Sequence, residues 1–139
     1  MIKPLTLGKL NFDWGSRTYV MGILNITPDS FSGDGLLSGS DPHSLIMERV
    51  RSFVQAGVDI IDIGGESTRP GAQVVSEAEE LDRVLPVVRA IANALDVLIS
   101  IDTYKAVIAE AALQAGAQIV NDVWGLHADP ELAGVAARL

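Results

Sequence analysis

The sequence predicts an α/β fold on a parallel sheet, of the (β/α)8 TIM-barrel type and covering about the first four βα units. Three observations lead there. Short Val/Ile-rich runs alternate with helical patterns along the 139 residues. Each run is largely apolar, as strands covered on both faces are. Each also closes on a carboxylate or an amide: Asn25, Asp62, Asp102, and Asn121 with Asp122. Apolar strands separated by helices imply right-handed crossovers and therefore parallel pairing. A doubly wound sheet would carry a Gly-rich fingerprint after its first strand, but the residues after Leu24 read NITPDSFSGDG. A complete barrel needs about 250 residues. Residues 1–139 are therefore read as the N-terminal part of a single barrel domain, a truncated piece of a larger protein; the alternative is that four units assemble in another way.

Taken in order, LTLGKLNFDW with a turn at Gly8 and Lys9 is read as a small hairpin plugging the barrel bottom. The strands are expected at 18–24, 58–63, 97–101 and 117–120. Asp41 followed by Pro42 is an N-cap with proline at the first helical position, and Ile46, Val50, Phe53 and Val54 then make an apolar stripe. Ser76 with Glu79 three residues later is a capping box, leading into Leu81, Val84, Leu85, Val88, Ile91 and Leu95. Pro86 inside that stripe predicts a kink or a division into two helical pieces, because proline removes a hydrogen bond and crowds the preceding turn. Thr103 is expected to cap a third helix with Ile108, Ala111, Ala112 and Ala115 inward, and Asp129 with Pro130 to open a fourth.

Composition narrows the function classes. Hydrophobic residues make up 48% and mean hydropathy is +0.30, enough for a packed core and against disorder. Eighteen acidic against ten basic residues leave a net charge of −8, which disfavours non-specific nucleic-acid binding, since phosphates need a basic surface. The absence of cysteine removes disulfides, thiolate metal sites and a cysteine nucleophile. There is no signal-peptide pattern and no apolar run near the roughly 20 residues a membrane span needs, so a soluble, cytoplasmic protein without membrane partners is expected.

Parallel strands converge with their C-terminal ends on one mouth, where barrel active sites lie. Four polar strand ends in register therefore point to a site. Asn25 can offer its side-chain carbonyl to a hard cation such as Mg²⁺, which takes oxygen ligands and is often shared with substrate phosphates. The long loop after it carries Phe31, as a loop folding over something would. In the second loop, GGESTRPGA, Gly64 and Gly65 let backbone approach a ligand, and Ser67, Thr68 and Arg69 bring two hydroxyls and a guanidinium suited to carboxylate or phosphate. The Asp102 carboxylate and the Asn121 amide match the N–H-rich edge of a fused aminopyrimidine. His43 and His127 have no motif spacing and are read as surface residues, with a reservation for His127 because of nearby Trp124.

NITPDSFSGDG, DIIDIGGESTRPGA, SIDTYK and AQIVNDVWG, in this order over nearly the whole chain, resemble the successive signatures of the dihydropteroate synthase family, the sulfonamide target of folate biosynthesis. The resemblance implies a (β/α)8 transferase that condenses 6-hydroxymethyl-7,8-dihydropterin diphosphate with p-aminobenzoate, giving 7,8-dihydropteroate and diphosphate. It implies Asp102 and Asn121 as pterin ligands and Asn25 as the residue for Mg²⁺ and diphosphate, these three forming the catalytic set. Asp62 joins the substrate-binding residues from its strand end. Thr68, Pro70 and Phe31 would border the p-aminobenzoate pocket, with Ser67, Arg69 and Asp34 in loops that close over it. The family's later strands, which bring another pterin-binding Asp, a Lys, an Arg and a His, have no counterpart in these residues, nor do the late helices through which the family usually forms homodimers. This length of chain is therefore expected to be inactive alone. A second reading is the pterin-binding module of a methyltetrahydrofolate-dependent methyltransferase, for which the PDSFS and STRPG loops have no evident purpose. A third is a folded remnant with no activity of its own.

Overall fold

The computed structural model describes residues 3–8, 10–27, 41–67 and 73–139. Strand β1 (Leu5–Leu7) pairs antiparallel with β2 (Leu10–Phe12) in the expected hairpin. Four strands follow in a parallel sheet of order β3-β4-β5-β6: β3 (Met21–Asn25), β4 (Ile60–Gly64), β5 (Leu98–Asp102) and β6 (Ile119–Asn121). Each begins one to three residues later than the apolar runs predict. At β3 the reason is visible. Asp59 accepts the Val20 N–H at 2.8 Å and both guanidinium branches of Arg17, so residues 18–20 are held by a side chain before the ladder starts. Tyr19 instead packs its ring tilted against Phe12 and edge-on to Trp14.

Side chains alternate across a strand, so the sheet has two different faces. One carries Leu24, Ile61, Ile63, Ile99 and Ile101, all buried against Val50, Val84, Val88, Ile91 and Ile108 of the helices. Burying each such side chain contributes about 1.5 to 3 kcal/mol. The other face changes character along its length. At the N-terminal end Ile60 and Leu98 pack on Phe12, so the hairpin does close that end of the sheet. Toward the C-terminal end the same face carries Asp62 and Ser100, then Asn25, Gly64, Asp102 and Asn121.

Helix α1 (Pro42–Gln55) starts as predicted, with Asp41 accepting the Ser44 N–H. In α2 (Glu77–Ala94) Ser76 Oγ accepts the Glu79 N–H at 3.3 Å, but the Glu79 carboxylate turns to Arg83, so the capping box is half formed. The division expected at Pro86 does not occur: one helix runs through it. Pro86 and Asp82, whose carbonyl loses its partner, are both exposed, so water can take that carbonyl while Val84, Val87, Val88 and Ile91 stay buried.

Helix α3 (Ala106–Ala115) corrects another expectation. Thr103 is not its cap; Lys105 holds that position and has no side-chain capping bond. The Ala106 N–H goes instead to Asp129 Oδ2 at 2.8 Å, from the connection leading into α4 (Leu132–Arg138). Asp129 Oδ1 accepts the Glu131 N–H at 2.9 Å, so one carboxylate serves the openings of two helices, and these N–H groups hold its pKa below the ordinary value. Among the described residues no helix is long and apolar enough to cross a membrane.

Candidate functional site

The strand register places Asn25, Gly64, Asp102 and Asn121 side by side in one row across the C-terminal edge of the sheet. Gly64 leaves a gap in this row. A Cβ there would lie 3.5 Å from Asn25 Oδ1 and 3.5 Å from Asp102 Oδ2, so the glycine keeps two oxygen groups facing one space. Asp62 is not the strand end the sequence suggests: β4 runs on to Gly64, so Asp62 lies one pleat below the row, only 3% exposed. Its Oδ2 accepts from Asn121 Nδ2 at 3.1 Å. These residues are two strands apart, about 9.5 Å in a flat sheet, so the bond requires a sheet that curls toward this face. Because the Asn121 amide nitrogen is turned to Asp62, its carbonyl oxygen is left as an acceptor for the open side.

Two buried polar atoms beside this row have no hydrogen-bond partner among the described residues: Asp62 Oδ1 and Ser100 Oγ. Buried polar groups are normally paired, so this floor is suited to a ligand rich in N–H donors. Asp102 is electrostatically strained as well. Burial first, and then the negative charges of Asp62, Asp122 and Glu80, push its carboxyl up to about 6. At neutral pH it is mostly ionised, and a donor brought to it would relieve both the burial and the repulsion.

The first residue of the loop after β4 is packed tightly onto α2. Gly65 sits where a Cβ would fall 2.8 Å from Val84 Cγ1 and 2.9 Å from Glu80 Cγ, and Arg83 donates to the Gly65 carbonyl at 2.7 Å. Ser67 follows, partly buried. Phe31, Asp34, Thr68, Arg69 and Pro70 lie outside the described residues. The structure thus brings together Asn25, Asp62, Asp102 and Asn121, with Ser67 in the adjoining loop. His43 and His127 are exposed, as expected, and His127 shares a turn with Trp124, itself 60% exposed.

Sequence reasoning missed Glu66, Glu80 and Lys105. Lys105 Nζ lies 2.6 Å from Glu66 Oε2 and 2.7 Å from Glu80 Oε2. Burial alone would lower the lysine pKa, but its hydrogen bonds to Glu66 and Glu80 raise it overall. The signal was present in the two motifs: GGESTRPGA and SIDTYK, on neighbouring strands, each contain a charged residue of opposite sign besides those assigned to ligands.

Among the described residues no cluster of three His, Asp or Glu side chains could enclose a metal ion. Mg²⁺ commonly takes one or two protein oxygens with waters and substrate phosphates completing its octahedron, and the Asn25 Oδ1 beside the Gly64 gap fits that pattern. A cavity of about 770 Å³ lies at the opposite end of the sheet, lined by Gly8, Leu10, Asp96 and Gln118 among others, away from the row of strand ends.

The described geometry has close relatives. A family model described as pterin binding enzyme matches residues 21–139. The dihydropteroate synthase of Clostridium beijerinckii is 49% identical over 134 residues, which is 96% of this chain and 49% of that protein. Yersinia pestis dihydropteroate synthase, solved as a sulfonamide drug complex, shares 46% identity at a TM-score of 0.82, over 98% of this chain and 48% of that one. Xanthomonas albilineans dihydropteroate synthase, solved with 4-aminobenzoic acid, shares 37% identity at a TM-score of 0.84, over 96% and 48% respectively. The chain spans about half the length of these relatives, and its four βα units correspond to part of their TIM barrel. With a family model matching from β3 onward and relatives aligned over nearly all of it, this chain belongs to the pterin-binding enzyme family.

Proposed function

We propose that this chain carries the pterin-binding portion of a dihydropteroate synthase, a transferase that joins 6-hydroxymethyl-7,8-dihydropterin diphosphate to p-aminobenzoate. The observation that carries the reading is the acceptor-rich floor: Asp102 and Asn121 adjacent in one row, with the unpaired Asp62 Oδ1 beneath them. The aminopyrimidine edge of a pterin presents N–H groups side by side. Asp102 accepts two of them, Asn121 accepts through its carbonyl, and Asp62 holds the Asn121 amide in that orientation.

With the ring so fixed, the methylene carbon faces the mouth. Its C–O bond breaks, diphosphate leaves with the electron pair, and the arylamine nitrogen of p-aminobenzoate forms the new C–N bond and releases a proton. No side chain acts as a nucleophile. Asn25, across the Gly64 gap from Asp102, stands where the leaving diphosphate and a Mg²⁺ ion would be held. When bound, Mg²⁺ supplies charge to offset that developing on the leaving group. Ser67 and Thr68, Arg69 and Pro70 after it serve the p-aminobenzoate side together with Phe31 and Asp34. The crystallisation of relatives with 4-aminobenzoic acid and with a sulfonamide supports this assignment over the methyltransferase reading. Action in the cytoplasm and a homodimer of the full-length protein belong to the same proposal.

The test is condensation by the full-length protein, followed with both substrates and Mg²⁺. Product formation that requires the pterin diphosphate and p-aminobenzoate together, and that falls on Asp102→Asn, supports the reading. Methyl transfer from methyltetrahydrofolate with no condensation refutes it.

A further inference from the structure

The β4–α2 loop is tied down at both ends by one ammonium group. Lys105 Nζ donates to Glu66 Oε2 at 2.6 Å, one residue before Ser67, and to the Val75 carbonyl at 2.6 Å, one residue before the Ser76 cap of α2. Its third N–H goes to Glu80 Oε2 at 2.7 Å. All three donors of the lysine are used, and it is 8% exposed. The acceptors are in turn engaged. Glu66 takes the Tyr104 hydroxyl and the Val75 N–H, both at 3.3 Å, and Glu80 Oε1 takes the Thr103 hydroxyl at 3.1 Å. Thr103, Tyr104 and Lys105 follow Asp102 directly. A single network therefore joins the strand end that carries Asp102 to both ends of the neighbouring loop.

Stability alone does not account for this arrangement. A buried ion pair repays its desolvation poorly, and replacing it with well-packed neutral residues is often neutral or stabilising. What neutral residues would not reproduce is three directional bonds fixing Glu66, Val75 and Glu80 about one point. We propose that Lys105 is a positioning residue for the β4–α2 loop, its ammonium clamping Glu66 and Val75 and so setting the distance between Ser67 and Asp102. Resting on the p-aminobenzoate assignment made above for this loop, the clamp governs how the arylamine is presented to the pterin methylene carbon and leaves the pterin floor itself intact.

The test uses the full-length protein and two variants. Lys105→Met alone strands two buried carboxylates and can unfold, so it is paired with the triple variant Lys105→Met, Glu66→Gln, Glu80→Gln. The triple variant removes the charges while keeping acceptors for Tyr104, Val75 and Thr103. Hydrogen exchange is read on the amides of residues 66, 67 and 73–75 together with KM for each substrate. In the folded triple variant, exchange at these amides rises about tenfold, KM for p-aminobenzoate rises about ten- to a hundredfold, and KM for the pterin diphosphate changes little. Lys105→Arg, which keeps the charge, recovers part of the protection. A folded triple variant with wild-type loop exchange, or with both KM values raised equally, overturns the clamp. If the wild-type protein does not condense the two substrates, the function proposal fails at that point, and the exchange measurement still decides whether Lys105 holds the loop.

Discussion

Asp102 is held in a place that costs stability, and replacing it should make the protein more stable while damaging its site. In the unfolded chain an aspartate titrates near about 3.9. In the fold, burial and then the charges of Asp62, Asp122 and Glu80 bring it to about 6. The folded state binds this proton more tightly, so the contribution of Asp102 to stability is greatest below about pH 4, falls as the pH rises toward 6, and stays low above it. Two pKa units correspond to about 3 kcal/mol. Asp102 is open to solvent along the site, and screening reduces this to about 1 to 2 kcal/mol. Asp102→Asn removes the charge with little change of shape. At pH 7 its urea midpoint should exceed wild type by an amount worth about 1 to 2 kcal/mol, and near about pH 3.5, where the wild-type carboxyl is mostly protonated in both states, most of the gap should close. A variant no more stable at pH 7, or a gap of equal size at both pH values, refutes the electrostatic reasoning.

Other consequences follow from single contacts. Gly65→Ala puts a methyl group within 3 Å of Val84 and Glu80 and should cost about 1 to 3 kcal/mol in urea unfolding; an unchanged midpoint would mean that the loop is not seated on α2 as described. Asp129→Ala removes the acceptor for two helix openings and should cost about 1 to 2 kcal/mol, with faster hydrogen exchange at Ala106 and Glu131; loss at one amide alone would contradict the shared cap. Phe12→Ala, at the centre of the hairpin contact with Ile60 and Leu98, should cost about 3 kcal/mol while leaving pterin affinity within a few-fold, since it acts at the far end of the sheet.

Much of this was legible in the sequence because the signals are local. The Val/Ile runs, Asp41 before Pro42 and the polar residues ending the strands need nothing beyond a few neighbouring positions, and Asn25, Asp102 and Asn121 fall in one row as parallel pairing demands. What escaped depended on residues far apart in the chain. Thr103 has the composition of a helix cap, yet its hydroxyl is drawn to Glu80, 23 residues earlier, and Asp129 caps α3 from 23 residues later. Pro86 reads as a helix breaker, but the burial of its neighbours and the exposure of Asp82 outweigh one lost bond. Lys105 carries no local signal of its role, because its partners Glu66 and Glu80 lie 39 and 25 residues earlier in the chain.

The row Asn25, Gly64, Asp102 and Asn121, with Asp62 beneath it, is read as a pterin floor. A crystal structure of the full-length protein with 6-hydroxymethylpterin tests it most directly. The expected result is ring N–H groups within about 2.7 to 3.2 Å of the Asp102 carboxylate, a ring donor to the Asn121 carbonyl, and the Asn121 amide still turned to Asp62. A pterin bound elsewhere, or bound here with Asp102 and Asn121 both out of hydrogen-bond reach, would contradict it.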